Sequence, residues 1–321
     1  MTKKNEIKTM RDVFIEAIYY HMFKDRNIFF LCADFGAPKL DNLRKDFKDR
    51  FINVGIAEQN LINISTGLAL EGFTVYAYAI AGFLTMRAYE QIRINLSLLA
   101  QLKRVNVNLV GVGAGLSYDV SGPTHHCLED LCIMRILPNL MVFSPSDWVL
   151  AHKIADYTLK VKAPKYIRFD SKPLPQIYKN TDKIILENGF RELKKGRDLC
   201  LISTGYMTHK ALKVAELLND ENIGVMDVFL FKPFNDGLFL RALKKYRYAI
   251  TLEEGFINKG GLDSLVLSII NNHNLNIRLK RMGFGDSYVF NPGSRAYLHK
   301  MYHLDEEAIM KNVKELLKGK V

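Results

Sequence analysis

The chain alternates short runs of β-branched and aromatic residues with longer runs of helical period, and this alternation most restricts the possible folds. In the first half the strand candidates are NIFFLCAD, RFINVG, FTVYAYAI, NVNLVGVGAG, LMVFSPS and KYIRFD. The helix candidates are MRDVFIEAIYYHMFKD, IAEQNLINISTGLAL, LTMRAYEQIRINLSLLAQLK, LEDLCIMRIL and DWVLAHKIADYTLK. Strands that alternate with helices are typical of parallel sheets with helices on both faces. The pattern predicts an α/β fold.

A second alternation of the same kind follows a stretch of different texture. From Asp170 to about Lys195 the chain reads SKPLPQIYKNTDK and then becomes charged and rich in turn residues. Beyond it come DLCLISTG, THKALKVAELLNDEN, IGVMDVFLFKPF, YAITLEEG, LDSLVLSIINN, IRLKRMGF and LDEEAIMKNVKELLK. We therefore predict two Rossmann-like three-layer domains, 1–178 and 190–321, each a mainly parallel sheet flanked by helices. A linker of about 171–195 joins them.

Composition argues against nucleic-acid and membrane functions. The formal charge is +11, but the 45 basic residues are scattered among 34 acidic ones and form no basic stripe with aromatic residues between them. The longest strongly apolar run, LINISTGLALEG, falls short of the roughly 20 residues that span a bilayer. The first residues, MTKKNEIKTM, lead into no apolar segment of a secretion signal. We expect a cytoplasmic protein that binds neither nucleic acid nor membrane.

The four cysteines do not suggest a metal site or disulfides. None belongs to a CxxC pair, and each lies in an apolar stretch: Cys32, Cys127, Cys132 and Cys200. Buried free thiols in a reducing compartment are the expected state.

Polar and aromatic residues that could carry chemistry follow three of the predicted strands. Glu58 stands in NVGIAEQN, Phe83 and Tyr89 in AYAIAGFLTMRAYEQ, and His125 and His126 in YDVSGPTHHCLED. Active sites of open α/β sheets gather at the carboxyl ends of strands, so these segments can contribute to one crevice. Each also has a structural reading: an acid favoured by the helix dipole, aromatic core packing, and a turn whose histidine caps the next helix.

Taken in order, these segments make the chain resemble the transketolase family of thiamine diphosphate enzymes, from about residue 10 to the C-terminus. The family's pyrimidine-binding domain has an NVGIAEQN-type motif, an aromatic segment matched by AGFLTMRAYEQIR, and a GPTH turn and helix matched by GPTHHCLEDLCIMRILPN. The second half is similar to the family's C-terminal domain through DLCLISTG, DVFLFKPF and ITLEEG.

The resemblance implies a catalytic role for Glu58. In the family the acid of this motif hydrogen-bonds the aminopyrimidine ring of thiamine diphosphate and so activates the coenzyme as a nucleophile. A carboxyl group with this task must keep a proton near neutral pH. Burial against apolar neighbours, here expected to be Ile56, Leu61 and Ile62, disfavours the charged form.

The resemblance also assigns the rest of the coenzyme pocket. Phe83 matches the ring that stacks on the aminopyrimidine, and Tyr89 matches another pocket aromatic. Met86 stands where the family often has an aromatic, which makes the pocket floor softer. Asp34, at the end of NIFFLCAD, matches a position on the thiazole side of the coenzyme.

Substrate residues follow from the same resemblance. His125 matches a histidine that faces substrate oxygens and shuttles protons, and His126 is the second candidate, where many relatives have Gln. Arg168 matches an arginine that grips a substrate phosphate. Family members that act on sugar phosphates commonly carry Asp directly before the GPTH turn, but this chain has Ser121, with Asp119 two residues earlier. Substrate recognition is therefore expected to differ.

The resemblance covers only the second half of a complete transketolase. Complete members are about twice as long, and their N-terminal half binds the diphosphate and its metal ion through a GDG motif followed by Asn. The only Gly-Asp dipeptide here, Gly285-Asp286, lies near the C-terminus and is followed by Ser287. The resemblance thus implies the C-terminal subunit of a split transketolase, with no metal ligands of its own. A partner subunit that holds Mg²⁺ or Ca²⁺ is expected in an α2β2 heterotetramer, and the chain alone is expected to form a homodimer.

The resulting prediction is a transferase of aldehyde or ketone residues, active only with its partner. It would move a two-carbon ketol (glycolaldehyde) unit from a ketose to an aldose, with sugars or sugar phosphates as substrates. The rival enzymes are the β subunit of a 2-oxo acid dehydrogenase, which shares both domains, and a split 1-deoxyxylulose-phosphate synthase. A non-catalytic α/β scaffold is the alternative outside enzymes. The histidine pair in GPTHH and the MRILPN helix favour transketolase.

Overall fold

The computed structural model describes residues 6–318, which divide into two compact units. The first unit runs to Ala114 and also contains Ile133–Asp182. The second contains Gly115–Cys132 and continues from Lys183. The ranges 1–178 and 190–321 remain our proposal for the two domains.

The helices and strands follow the predicted alternation. In chain order the strands are β1 (Ile7–Lys8), β2 (Ile28–Cys32), β3 (Phe51–Asn53), β4 (Thr74–Ile80), β5 (Asn106–Val112), β6 (Met141–Phe143), β7 (Lys165–Phe169), β8 (Leu174–Pro175), β9 (Phe190–Lys194), β10 (Leu199–Ser203), β11 (Gly224–Val228), β12 (Leu230–Lys232), β13 (Tyr248–Phe256) and β14 (Arg278–Phe284). The helices are α1 (Met10–Lys24), α2 (Leu40–Asp46), α3 (Glu58–Leu70), α4 (Ala81–Arg87), α5 (Tyr89–Gln91), α6 (Asp130–Ile136), α7 (Trp148–Lys160), α8 (Tyr206–Leu217), α9 (Asp236–Leu243), α10 (Leu262–Asn272), α11 (Arg295–Met301) and α12 (Glu306–Lys318).

The first unit is built on a parallel sheet. Its strands β6, β7, β5, β4, β2 and β3 are neighbours in that order, and each pair is parallel. Every residue of β5 is buried, as are all residues of β4 except Ile80. Strands buried on both faces are characteristic of parallel sheets covered by helices, so the α/β prediction is confirmed.

The second unit contains another mainly parallel sheet, in the order β14, β13, β10, β11, β9. Only the edge strand β9 runs antiparallel to its neighbour, β11. Helix α8 packs on this sheet, because Ala211 and Ala215 on the helix and Leu218 directly after it all lie in the core of this unit. The two large sheets agree with the predicted fold class, and β1 and β8 form a separate two-stranded antiparallel sheet.

Several short elements differ from the sequence expectation. The helix predicted over residues 84–103 is interrupted at Ala88, and beyond α5 it continues as a π-helix, Ile92–Leu98, and a 3₁₀ turn, Leu99–Gln101. An apolar period predicts that a segment is helical, but it does not show where a short π-helical or 3₁₀ stretch replaces the α-helix. The pattern also did not predict α2, α9, α11 and β9, which are too short for a clear period.

The structure also describes the state of the cysteines, the character of the helices and the grouping of possible metal ligands. All four cysteines are buried and free, as expected. Within residues 6–318, no helix combines the length and the apolar character needed to cross a membrane. The same described residues contain no group of three or more His, Cys, Asp or Glu side chains that could hold a metal ion.

A buried lysine makes the stability of the first unit depend on pH. Lys165 is fully buried in β7, and its Nζ donates to Asn106 Oδ1 at 2.9 Å and to the carbonyls of Val161 and Ala163. Burial lowers the pKa of Lys165 from 10.5 to about 7. Between these values the unfolded chain binds the proton and the folded chain does not, so the free energy of unfolding rises with pH.

Substitution of this lysine is expected to flatten that dependence. Between pH 7.5 and 9.5, urea unfolding of Lys165→Met should show a slope smaller than that of the wild type by roughly 1 kcal/mol per pH unit. The exposed neighbour Lys162 offers the matched control, since Lys162→Met should keep the wild-type slope. Equal slopes in wild type and Lys165→Met would contradict the assignment.

Candidate active site

The turn between β3 and α3 is held to the end of β2 by Asn53. Its side-chain oxygen accepts from the N–H groups of Gly55 and Asp34 at 3.0 and 3.1 Å. Its amide nitrogen donates to Asp34 Oδ1 at 2.9 Å. Gly55 has a φ of +76°, a left-handed conformation that glycine adopts without strain. Asp34 is therefore exposed and fixed at the carboxyl edge of the sheet, beside the NVGIAEQN segment.

Glu58 is the first residue of α3 and is buried, with 5% exposure. A carboxylate at this position interacts favourably with the helix dipole. Two of the apolar residues expected to bury it, Leu61 and Ile62, are themselves fully buried. Ile56 is 77% exposed, which corrects its predicted role, because the turn directs it away from the core before the helix begins.

Arg87 pairs with Glu58 and also covers the ring of Phe83. Its Nη1 donates to Glu58 Oε1 at 2.9 Å, and its guanidinium carbon lies 4.1 Å from the Phe83 ring centroid. Phe83 and Arg87 are four residues apart on α4 and so share one face of that helix. Sequence reasoning missed Arg87, although this spacing was visible. The pair supplies the buried carboxylate with a counter-charge.

One planar group contacts both Glu58 and Phe83 at the edge of a cleft. A cleft of about 530 Å³ is lined by Ile56, Ala57, Glu58, Gln59, Asn60 and Arg87. The guanidinium of Arg87 is planar and carries N–H donors, and it lies on the Phe83 face while it bonds to Glu58. A planar heterocycle can make the same two contacts at once, one to a ring face and one to a carboxyl group.

Two further residues predicted to line the pocket, Met86 and Tyr89, lie in α4 and α5. Tyr89 is half-buried, and its hydroxyl donates to the carbonyl of Ile133 at 2.9 Å. Burial raises the pKa of Tyr89. Met86 is 43% exposed. Their roles as pocket residues stay predictions.

Ser121, His125 and His126 lie in the second unit, on the segment Gly115–Leu128, which we call the substrate loop. Ser121 is exposed and His125 is half-buried, with its Nδ1 3.1 Å from Thr124 Oγ1. His126 is only 5% exposed, and its Nε2 donates to the carbonyl of Asp119 at 3.1 Å. His126 is thus oriented into the loop, whereas Ser121 and His125 remain accessible.

Arg168 is placed near the carboxyl end of β7 and is only 5% exposed. Its contact with a substrate phosphate stays a prediction. Because the side chain is buried, such a contact requires the guanidinium to become accessible.

Comparisons with known proteins match both halves of the chain. The family description "Transketolase, pyrimidine binding domain" matches residues 7–176, and "Transketolase, C-terminal domain" matches residues 189–309. One of the subunits of the apulose-4-phosphate transketolase of Actinobacillus succinogenes is 34% identical, over 83% of this chain and 84% of that protein. The putative transketolase C-terminal section of Methanocaldococcus jannaschii is 33% identical, over 97% of each.

A solved structure is similar over nearly the whole length of the chain. It is described as a split gene transketolase, inactive beta4 tetramer, and it superposes with a TM-score of 0.86 at 28% identity. The match covers 97% of this chain and 99% of that one.

Proposed function

The chain belongs to the transketolase family, and from this premise we propose that it is one subunit of a two-chain, thiamine diphosphate-dependent transketolase. The reaction proposed is transfer of a two-carbon ketol unit from a ketose to an aldose. The observation that carries this proposal is the buried carboxyl of Glu58 together with the ring of Phe83. The planar guanidinium of Arg87 contacts both of them.

Glu58 and Phe83 are proposed to hold the coenzyme. When bound, thiamine diphosphate supplies the nucleophilic carbon that attacks the ketose carbonyl. Phe83 offers its ring face for stacking, and Glu58 shares a proton at Oε1 with the pyrimidine ring. Arg87 must first release both contacts, and its side chain, 49% exposed, can turn towards solvent. Asp34 is proposed to stand on the thiazole side.

The substrate loop is proposed to act on the sugar. His125 can donate to or accept from a substrate oxygen, because its ring is half-buried and an imidazole nitrogen can take either role. Ser121 offers a neutral hydroxyl where related sugar-phosphate enzymes carry a carboxylate. The proposed substrates are sugars or sugar phosphates that do not depend on an acid at this position.

A partner subunit is proposed to complete the enzyme. The relatives are named as a transketolase subunit, as a C-terminal section and as the product of a split gene. We infer that the diphosphate and its Mg²⁺ or Ca²⁺ ion are bound by a separate chain with a GDG motif, in an α2β2 complex. Without it, this chain is proposed to associate with copies of itself.

Reconstitution with that partner tests the function. The complex is given thiamine diphosphate, Mg²⁺ and a ketose donor with an aldehyde acceptor, and the product two carbons longer than the acceptor is measured. Parallel reactions use pyruvate with a lipoyl domain, or pyruvate with glyceraldehyde phosphate. Ketol transfer is expected only in the first. Acetyl transfer to the lipoyl domain would favour the dehydrogenase, and deoxyxylulose phosphate synthesis would favour the synthase. Coenzyme binding with no reaction would favour a scaffold.

A further inference from the structure

Glu254 and Arg295 form a buried ion pair that reaches the substrate loop. Glu254 lies on β13 and Arg295 begins α11, and they are 6% and 5% exposed. Arg295 donates from Nε to Glu254 Oε1 at 2.7 Å and from Nη2 to Oε2 at 2.5 Å, a forked geometry. Oε2 also accepts from the backbone N–H of Leu116 at 3.1 Å. One carboxylate thus joins helix α11 to the first residues of the loop.

Asp119 makes a second connection between the loop and α11. Its Oδ2 accepts from the backbone N–H of Arg295 at 2.8 Å, and its Oδ1 accepts from that of Val120 at 3.0 Å. Asp119 is 5% exposed, and its carbonyl accepts from His126. The side chain is therefore committed to the interior of the unit. It does not replace the acid that sugar-phosphate enzymes carry at the position of Ser121.

The base of the loop is closed directly against Glu254. Gly115 and Cys127 exchange two backbone hydrogen bonds, of 3.0 and 2.9 Å. Gly115 has a φ of +59°, and a Cβ there would overlap the carboxylate of Glu254. Only glycine allows the loop to approach this closely.

Charge keeps Glu254 in the form that makes these bonds. Burial alone would raise its pKa, but the charge of Arg295 and hydrogen bonds from Arg295 and His299 outweigh burial and hold the pKa of Glu254 well below its usual range. His299 Nε2 lies 2.5 Å from Oε1, and the guanidinium of Arg295 is stacked 3.6 Å from the ring centroid of Tyr206. The carboxylate is therefore charged, oriented and fully paired at neutral pH.

We propose that Glu254, Arg295 and Asp119 are positioning residues that set the place of His125 and Ser121 for the reaction. We call these three residues the loop clamp. They touch no substrate, and they act by holding both the first residues and the middle of the substrate loop on β13 and α11. The second unit thereby takes part in substrate recognition. The role in the reaction rests on the function proposed for His125, whereas the anchoring of the loop does not.

Hydrogen exchange of the full-length chain tests the anchoring. The main variant is the double substitution Arg295→Met with Glu254→Gln, which removes both charges and leaves no unpaired buried ion. Asp119→Asn is a milder second variant. Lys210→Met is the matched control, because Lys210 is a buried cation of the same unit that pairs with Glu306 at 2.9 Å. Amides of residues 115–128 should exchange at least about tenfold faster in the double variant. They should keep the wild-type rate in the control.

Kinetics of the reconstituted complex test the positioning. A substitution that only reduces the fraction of folded enzyme lowers the apparent kcat and leaves KM unchanged. Displacement of His125 and Ser121 should instead raise the sugar KM by about tenfold and also lower kcat in the double variant. Three results would each overturn the proposal. The first is loop exchange at the wild-type rate in the double variant, and the second is exchange that is faster to the same degree throughout the unit. The third is faster loop exchange with an unchanged KM. If the complex transfers no ketol unit at all, the proposed function fails. The exchange data still decide whether the loop clamp anchors the substrate loop.

Discussion

Replacement of Glu58 by Gln is expected to lower turnover of the reconstituted enzyme by about 10²–10⁴-fold, the usual cost of losing a positioned proton donor. Gln preserves the shape of the side chain and can still accept the hydrogen bond from Arg87 that the structure shows at 2.9 Å. It cannot share a proton with the pyrimidine ring. The fold should therefore remain intact while the chemistry is lost. Glu58→Ala should be at least as inactive.

The control for this experiment lies at the other end of the same helix. Glu71 is the exposed residue that directly follows α3 as its C-cap, and Glu71→Gln removes one carboxylate without touching the cleft. Its turnover should equal that of the wild type. Unfolding curves and gel filtration of each complex separate lost chemistry from lost structure. Wild-type turnover by a folded Glu58→Gln complex would refute the catalytic assignment.

Replacement of Asp147 by Ala is expected to lower the free energy of unfolding of the first unit by about 3–5 kcal/mol. Asp147 is fully buried, and its Oδ1 caps α7 by accepting from the N–H of Leu150 at 2.9 Å. Its Oδ2 accepts from the N–H groups of Ile177 and Tyr178, both at 2.8 Å. Alanine would leave these three donors, two of them buried, without this partner, and each buried donor left unpaired costs about 1–3 kcal/mol.

Two further variants isolate the cause. Asn235 caps α9 through a single bond to the N–H of Leu238 at an exposed site, so Asn235→Ala should cost only about 1 kcal/mol. Asp147→Asn keeps one oxygen but turns an amide group towards the remaining donors, and it should fall between wild type and Asp147→Ala. Urea unfolding measures all three. A loss for Asp147→Ala no larger than that for Asn235→Ala would contradict the argument.

Much of the candidate site could be recognised because it is local in sequence. Glu58 follows a strand and a glycine within one short motif, and the structure places it at the start of α3 as expected. The motif also contains Asn53, yet its bond to Asp34 was not predicted. That bond forms because β2 and β3 are neighbours in the sheet, with Cys32 opposite Asn53. The pairing of strands is a tertiary property, and the motif alone does not specify it.

His126 shows where a motif is insufficient. The pair His125-His126 reads as two candidate substrate residues, but adjacent residues of a turn point in different directions. The carbonyl of Asp119 takes the Nε2 proton of His126 and draws this ring inward. Which histidine remains accessible depends on the conformation of the loop, and no periodicity describes a loop.

The sequence by itself determined the alternation of strands and helices, the two mainly parallel sheets and the position of Glu58 after a strand end. These features depend on hydrophobic period, turn residues and short motifs, which act over a few residues. Only the tertiary structure decided the partners of the buried charges. Glu58 meets Arg87 across 29 residues, Leu116 meets Glu254 across 138, and Asp119 meets Arg295 across 176. A buried charge needs a hydrogen-bond or ionic partner, but the group that serves as the partner is decided by which strands and helices become neighbours.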